Sequence, residues 1–171
     1  RSAHERVLFN VSQHSYDLTE KGKQQAKITG KYLQNRFGDF DVYYRSYYDR
    51  SKQTLEIMYP KARVSEDARL AERQGGIWQT MTSDQVLARF PEELARKERE
   101  GLYHYRPFGG ENWPDVELRI QSFLETLYRY HENKRVLCIV HDHWFILLQR
   151  LLHHFSVSDT LEKYKNEAIS N

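Results

Sequence analysis

The stretch Val136-Leu137-Cys138-Ile139-Val140-His141-Asp142-His143 constrains the fold more than any other. Five apolar residues follow the polar Asn133-Lys134-Arg135 without a break. That length and composition suit a buried strand of a parallel sheet. The strand ends on His141, and Trp144 to Leu152 then carries helical spacing with no breaker. His141 is thus expected at the carboxyl end of a core strand, the edge where ligands bind in open α/β sheets. A helix start there offers unpaired N–H groups and the positive end of a dipole, which suit an anion. A buried histidine bonded to neighbouring backbone is the plain alternative, and this stretch alone does not choose between them.

The rest of the chain alternates in the same way. Thr19 can cap a helix whose apolar stripe is Ala26, Thr29, Leu33 and Phe37, and Gly38 stops it. Asp41 to Tyr44 reads as a short strand. Tyr47 to Met58 reads as a helix ended by Pro60, and Ala62 to Ser65 as a second short strand. This β-α-β order predicts a parallel sheet with helical crossovers. Further on, Ser83 can cap a helix reaching Phe90, and Glu92 to Gly101 forms a charged helix. Leu102 to Trp113 reads as a loop rich in glycine and aromatics. Pro114 suits the first position of a long helix with Val116, Ile120, Phe123, Leu127 and Tyr130 along one face. Ser156 to Lys165 reads as another helix, and Ala168-Ile169 as the start of a last strand. With no repeat and no linker, residues 1–171 are expected to form a single domain.

Composition limits the partners. The 26 basic and 24 acidic residues leave a formal charge of +2, which argues for neither nucleic acid nor membrane. A local cluster of Arg and His would therefore face a small anionic target. The single Cys138 excludes an intrachain disulfide and suits a reducing compartment, so a cytoplasmic location is expected. No apolar run approaches the ~18 residues of a membrane span, and no signal peptide is visible.

Four segments carry groups able to do chemistry: His4 with Arg1 and Arg6, Ser46 to Thr54 with Arg50 and Gln53, Glu72, and His141 to His143. Two histidines, an arginine and a carboxylate at one sheet edge make a workable phosphoryl-transfer site. One neutral imidazole attacks phosphorus. Arginines supply paired donors for the equatorial oxygens. A carboxylic acid protonates the leaving oxygen, and the second histidine donates to the phosphoryl group. Such a scheme requires no metal and no cofactor. Each piece also has a duller role. Arg50 could be a solvated helix residue, Glu72 could pair with Arg69 or Arg73 at the surface, and His4 could be a frayed terminal residue. His141 and His143 alternate as a metal pair would, yet no third ligand accompanies them. His153 and His154 suit a helix end, while His14, His104 and His131 carry no local signal. Tyr47 and Tyr48 could be pocket walls or half-buried surface.

In combination these motifs resemble the histidine phosphatase superfamily, in its phosphoglycerate mutase-like branch. Its members open with Arg-His-Gly-Glu and an Asn six residues after the His; His4 and Asn10 have that spacing. Leu18-Thr19-Glu20-Lys21-Gly22 is similar to the family's Leu-Thr-x-x-Gly helix start. Ser46 to Thr54 resembles its Ser-Pro-x-x-Arg-x-x-Gln-Thr segment, and Leu70 to Trp78 its Leu-x-Glu-x-x-x-Gly-x-Trp segment. Gly110-Glu111 fits its Gly-Glu-Ser loop with Asn112 for Ser, and His141-Asp142 its second catalytic His-Gly with Asp for Gly.

The resemblance implies a three-layer α/β/α sandwich with a mostly parallel central sheet. It also implies a phosphohistidine on His4, phosphate binding by Arg50 and Asn10, a proton from Glu72, and His141 as the second histidine. The departures lie at the start: Ala3, Glu5 and Arg6 stand where the family has Arg, Gly and Glu. Arg1 or Arg6 is then expected to supply the missing guanidinium. A second register sets Arg1 on the family Arg and Ser2 on the nucleophile, which predicts an inactive binding protein. The family's first strand would precede Arg1, so a chain trimmed at its ends is expected. The functions implied are a phosphomonoester hydrolase acting on a small phosphorylated substrate, a mutase, or a binder of phosphorylated ligands without turnover. The compact length and the Leu102–Glu111 loop favour the hydrolase.

Overall fold

The computed structural model describes residues 13–169, which fall into two compact units. A sheet unit comprises 13–71 and Gln121–His141. A helical unit comprises Glu72–Ile120 and 142–169.

In the sheet unit β1 (Val42–Arg45), β2 (Val64–Glu66) and β3 (Val136–Ile139) pair in the order β2-β1-β3, all parallel. Tyr43 aligns with Val64 on one side and Leu137 on the other. Alternation along β1 then sets the layers, because successive side chains point to opposite faces. Tyr43 packs into a core with Ala26 of α1 (Glu20–Phe37) and Leu55, Met58 and Tyr59 in and just after α2 (Asp49–Met58). Each such fully buried side chain contributes about 2 kcal/mol. Tyr44 faces the other way, edge-on to Phe123 of α6 (Trp113–Tyr130), with its hydroxyl 2.9 Å from His131 Nε2. Helices thus cover both faces of a parallel sheet, which is the expected α/β/α layering.

The Thr19 cap forms as expected: its hydroxyl accepts the Gly22 N–H, and Gly38 ends α1 at φ 68°. The predicted α1 stripe needs one change. Thr29 is exposed, and Gly30 makes the contact instead. A Cβ on Gly30 would stand 2.8 Å from Met58 Cα, so the absence of a side chain lets α1 lie directly on α2. The core strand is also less enclosed than expected. β3 is half-buried at every residue and stops at Ile139, leaving Val140 outside it, and β1 is the central strand of the three.

The helical unit holds α3 (Ile77–Thr80), α4 (Ser83–Arg89), α5 (Pro91–His104), the first turns of α6, α7 (Asp142–His153) and α8 (Val157–Ile169). Thr82, not Ser83, caps α4, because its hydroxyl and the Gln85 side chain each take the other's backbone N–H. α5 passes through a break at Gly101 (φ 72°), so Leu102 to His104 form a helical turn rather than loop. Asn112 and Asp115 cap α6 by the same reciprocal exchange, which places Trp113 first and Pro114 second in that helix. Val116, Ile120 and Phe123 are fully buried, but Tyr130, at the frayed end of the stripe, is 69% exposed. The expected last strand at Ala168-Ile169 is helix instead. Ser156 and Asp159 cap α8, and no Gly or Pro follows to end it before Ile169. No described helix is long and apolar enough to cross a membrane.

Candidate active site

The carboxyl ends of β1 and β3 carry the first cluster. The ladder continues one step past β1, where Ser46 N–H donates to Ile139 O at 3.1 Å. The chain then turns into α2, so Tyr48, Arg50 and Ser51 are delivered beside His141, which follows β3. Arg50 Nη2 donates to His141 Nδ1 at 3.1 Å, and Ser51 Oγ lies 3.4 Å from His141 Nε2. A guanidinium cannot accept, so Nδ1 receives this bond with its lone pair. The imidazole is therefore neutral here, with its proton on Nε2 toward Ser51.

Tyr48, almost fully buried, forms the floor of this cluster. Its ring lies 4.7 Å from the His141 ring, and the Arg50 guanidinium carbon sits 4.4 Å above its centroid. Arg50 Nη1 donates to Gln13 O at 3.0 Å. Both functional side chains thus have fixed orientations, and both aim polar edges at one point. An anion there meets the Arg50 donors at once. It meets a second donor when His141 Nδ1 takes a proton.

The second cluster lies in the helical unit. Glu72 Oε1 accepts the Arg73 backbone N–H at 2.7 Å and stands 3.3 Å from His143 Nδ1. The latter contact is at ion-pair distance but lacks hydrogen-bond alignment. Trp113 and Tyr164 flank the His143 ring, with centroids 5.9 and 5.1 Å away. Burial pushes the Tyr164 hydroxyl above its ordinary value, and Arg73 nearby opposes that push. Burial likewise pushes the Arg73 guanidinium below its ordinary value; its Nε–H donates to Glu111 O at 2.9 Å.

That bond is one of several holding the 105–112 loop against the segment after Glu72. Gln74 N–H donates to Glu111 Oε2, Glu111 N–H donates to Gln74 O, and Ile77 N–H donates to Phe108 O. A Cβ on Gly76 would lie 2.2 Å from Phe108 O, and Gly76 has φ 56°, so only glycine fits. Glu111 is also paired with Arg119 at 2.9 Å. Burial, then hydrogen bonding to the Glu93 carboxylate, pushes the Tyr105 hydroxyl up to about 12, so it remains a neutral strut between Trp78 and Glu93.

Of the predicted site residues, Arg50 and His141 are in direct contact. Glu72 does not pair with Arg69, which is bonded to Asp67 at 2.6 Å. Its side chain meets the Arg73 backbone and His143 instead. His4, Asn10, Arg1 and Arg6 lie outside the described residues. Gln53 serves the α1 entry, where its Oε1 accepts Leu18 N–H at 2.8 Å. Sequence reasoning assigned no role to Ser51 or to His143 as a partner of Glu72, and it left Tyr48 undecided. For Tyr48 and Ser51 the available signal was helical spacing, since both flank Arg50 at the start of α2. Among the described residues no group of three or more His, Cys, Asp or Glu side chains is arranged to hold a metal.

Comparison with known proteins matches this geometry to a family. The profile described as "Histidine phosphatase superfamily (branch 1)" matches residues 4–170. Phosphoserine phosphatase 1 of Hydrogenobacter thermophilus is 34% identical over 128 residues, covering 73% of this chain and 59% of that protein. A 2,3-bisphosphoglycerate-dependent phosphoglycerate mutase of Methylobacterium radiotolerans is 30% identical over 132 residues, covering 73% and 62%. The chain thus spans less than two thirds of either relative. Among solved structures, Bacillus stearothermophilus YhfR superposes with a TM-score of 0.74 at 25% identity, covering 92% of this chain and 76% of that one. The alpha-ribazole phosphatase of Shigella flexneri shares the fold, with a TM-score of 0.77 at 21% identity over 94% of this chain and 79% of that one. On the match over residues 4–170, the chain belongs to branch 1 of the histidine phosphatase superfamily.

Proposed function

We propose that this chain is a phosphomonoester hydrolase that works without a metal, through a phosphohistidine on His4. The observation that carries the proposal is the Arg50–His141 contact at the carboxyl edge of the sheet. It joins a cationic fork to a neutral imidazole, and an anion would satisfy both better than they satisfy each other.

In this scheme the His4 imidazole attacks phosphorus while the bond to the leaving oxygen breaks. Glu72 gives that oxygen its proton. Arg50 and His141 hold the equatorial oxygens through the transition state. Water then attacks the phosphohistidine, Glu72 takes the water's proton, and inorganic phosphate leaves. Asn10 lines the phosphate site, and Arg1 or Arg6 supplies the guanidinium that Ala3 lacks. The match over residues 4–170 supports treating 1–171 as one domain. The buried, unpaired Cys138 suits the cytoplasm.

The relatives named as a phosphoserine phosphatase and an alpha-ribazole phosphatase support small phosphomonoesters as the substrate class. The likeness to a phosphoglycerate mutase supports phosphoryl transfer between small molecules as the second reading. Hydrolysis of p-nitrophenyl phosphate in EDTA, with quenched samples assayed for phosphohistidine, tests the proposal. Turnover with a label that disappears in His4→Ala is the expected result. A folded chain that binds vanadate but neither turns over nor labels would establish the Ser2 register and a binding protein instead.

A further inference from the structure

Glu72 is held by one of its two oxygens. Oε1 accepts the Arg73 N–H at 2.7 Å and faces His143 Nδ1 at 3.3 Å. Nδ1 is buried and lacks an aligned hydrogen bond, so it acts on the carboxylate through charge and position. The side chains of the pair are 21% and 17% exposed, where charge interactions are less screened than in bulk water. The imidazole ring is wedged: Trp113, fully buried at the start of α6, meets it edge-on, and Tyr164 of α8 lies tilted against it. Arg73 and Asp142 are the other charged groups close enough to act on Tyr164.

We propose that His143 is a positioning residue for Glu72. It fixes Oε1, so that Oε2 is presented as the oxygen that carries the acidic proton, and it steadies the carboxylate once that proton has gone. The proposal rests on Glu72 being the proton donor. As the bond from phosphorus to the leaving oxygen breaks, its electron pair takes the Oε2 proton and becomes the new O–H bond. The carboxylate that remains faces the His143 ring. The proton returns from the attacking water: its O–H bond breaks, a new P–O bond forms, and the P–N electron pair goes back to His4. His143 touches neither phosphorus nor the leaving oxygen, and its own proton count is unchanged over the cycle.

Leaving-group dependence separates this role from a merely structural one. A nitrophenolate departs with little help from an acid, whereas a primary alkoxide needs it. His143→Phe fills the slot between Trp113 and Tyr164 and removes both nitrogens. His143→Asn returns a polar amide close to the position of Nδ1. His143→Phe is expected to lower kcat on a primary alkyl phosphate by about tenfold or more, with KM little changed, because a misdirected group loses most of its advantage. On p-nitrophenyl phosphate its kcat should stay within about threefold, the smaller share left when the acid matters little. His143→Asn should recover most of the alkyl phosphate turnover.

Glu72→Gln, run beside them, should lose about 10²-fold or more on the alkyl phosphate and far less on the aryl one. If Glu72→Gln discriminates between leaving groups and His143→Phe does not, the role of His143 is overturned and that of Glu72 stands. Equal losses on both substrates in His143→Phe, without recovery in His143→Asn, make His143 a packing residue and overturn the proposal. If Glu72→Gln shows no leaving-group dependence, or the unmodified chain turns over neither ester, the assignment of Glu72 fails and this inference fails with it.

Discussion

Arg50 and His141 meet in the sheet unit through a directed hydrogen bond, whereas Glu72 and His143 meet in the helical unit through proximity of charge. The first contact requires a neutral imidazole, because Nδ1 must offer its lone pair to a guanidinium that can only donate. It therefore suits a site whose charge balance is completed from outside, by an anion. The second contact places an imidazole beside a carboxylate and needs no alignment. It suits a group whose charge appears and disappears during a reaction. Histidine serves in both because its proton can sit on either nitrogen or on both. The partner decides the role: a cation makes the ring an acceptor, and a carboxylate makes it a counter-charge.

The largest expected effect lies on the directed side. Arg50→Ala should lower kcat by about 10²- to 10³-fold, the range for loss of a preorganised donor to a transition-state oxygen. It should also weaken vanadate binding, and by a similar factor for aryl and alkyl substrates. Arg50→Lys should recover little, since an ammonium cannot reproduce the planar fork or its stacking on Tyr48. Unchanged vanadate affinity in Arg50→Ala, measured by titration calorimetry, would remove the directed half of the comparison. A smaller effect is expected one contact further out. Ser51→Ala removes the hydroxyl that faces His141 Nε2 at 3.4 Å. A loss near 1 kcal/mol, or roughly fivefold in kcat, is the scale for such a neutral bond. If Ser51→Ala matched Arg50→Ala, the tautomer of His141 rather than the guanidinium would govern the site.

A third charged contact calibrates the other two. Arg69 lies against Asp67 at 2.6 Å and reaches α6 by donating to Ser122 O and Thr126 Oγ1, each at 2.8 Å. Hydrogen bonding from Arg69 holds the Asp67 carboxyl below its ordinary value. The stabilisation is thus present above the unfolded aspartate range and is lost as pH falls through the lower folded value. Asp67→Asn should unfold more easily than the unmodified chain at neutral pH by about 2 kcal/mol, the scale of a hydrogen bond to a charged group. The gap should close on acidification. Urea unfolding at a series of pH values measures it. A gap that persists at the acid end would mean that Asp67 acts through shape and not charge. Turnover at neutral pH should be unaffected, which sets this pair apart from the two histidine contacts.

Those parts of the site that depend on local order were legible in the sequence. His141 could be placed because an apolar run ends on it and a helix follows, and Arg50 because its segment sits where a strand turns into a helix. The Glu72–His143 contact could not, since the two residues are distant in sequence and their approach depends on how α7 is seated by Trp113 and Tyr164. The same limit explains the misplaced faces. Periodicity put Thr29 in the α1 stripe, but contact with α2 was decided at Gly30, where only the missing side chain mattered. It carried Tyr130 along the α6 stripe to a last turn that is largely exposed. The expected strand at Ala168-Ile169 failed because two apolar residues do not outweigh a capped helix already in progress.

The smallest expected effect protects the largest from misreading. Cys138 lies on β3, three residues before His141, and burial pushes its thiol up to about 12. At about pH 8 the thiolate fraction is then ~10⁻⁴, and a thiol reagent should label it slowly until the chain unfolds. The strand that delivers His141 thus carries its own reporter of closure. If Arg50→Ala acts only by removing donors, its Cys138 labelling rate should equal that of the unmodified chain while turnover collapses. If labelling instead accelerates in step with the loss of turnover, Arg50 holds β3 and α2 together mechanically. The directed contact would then be a strut, and the difference between the two histidines would be one of packing before it was one of chemistry.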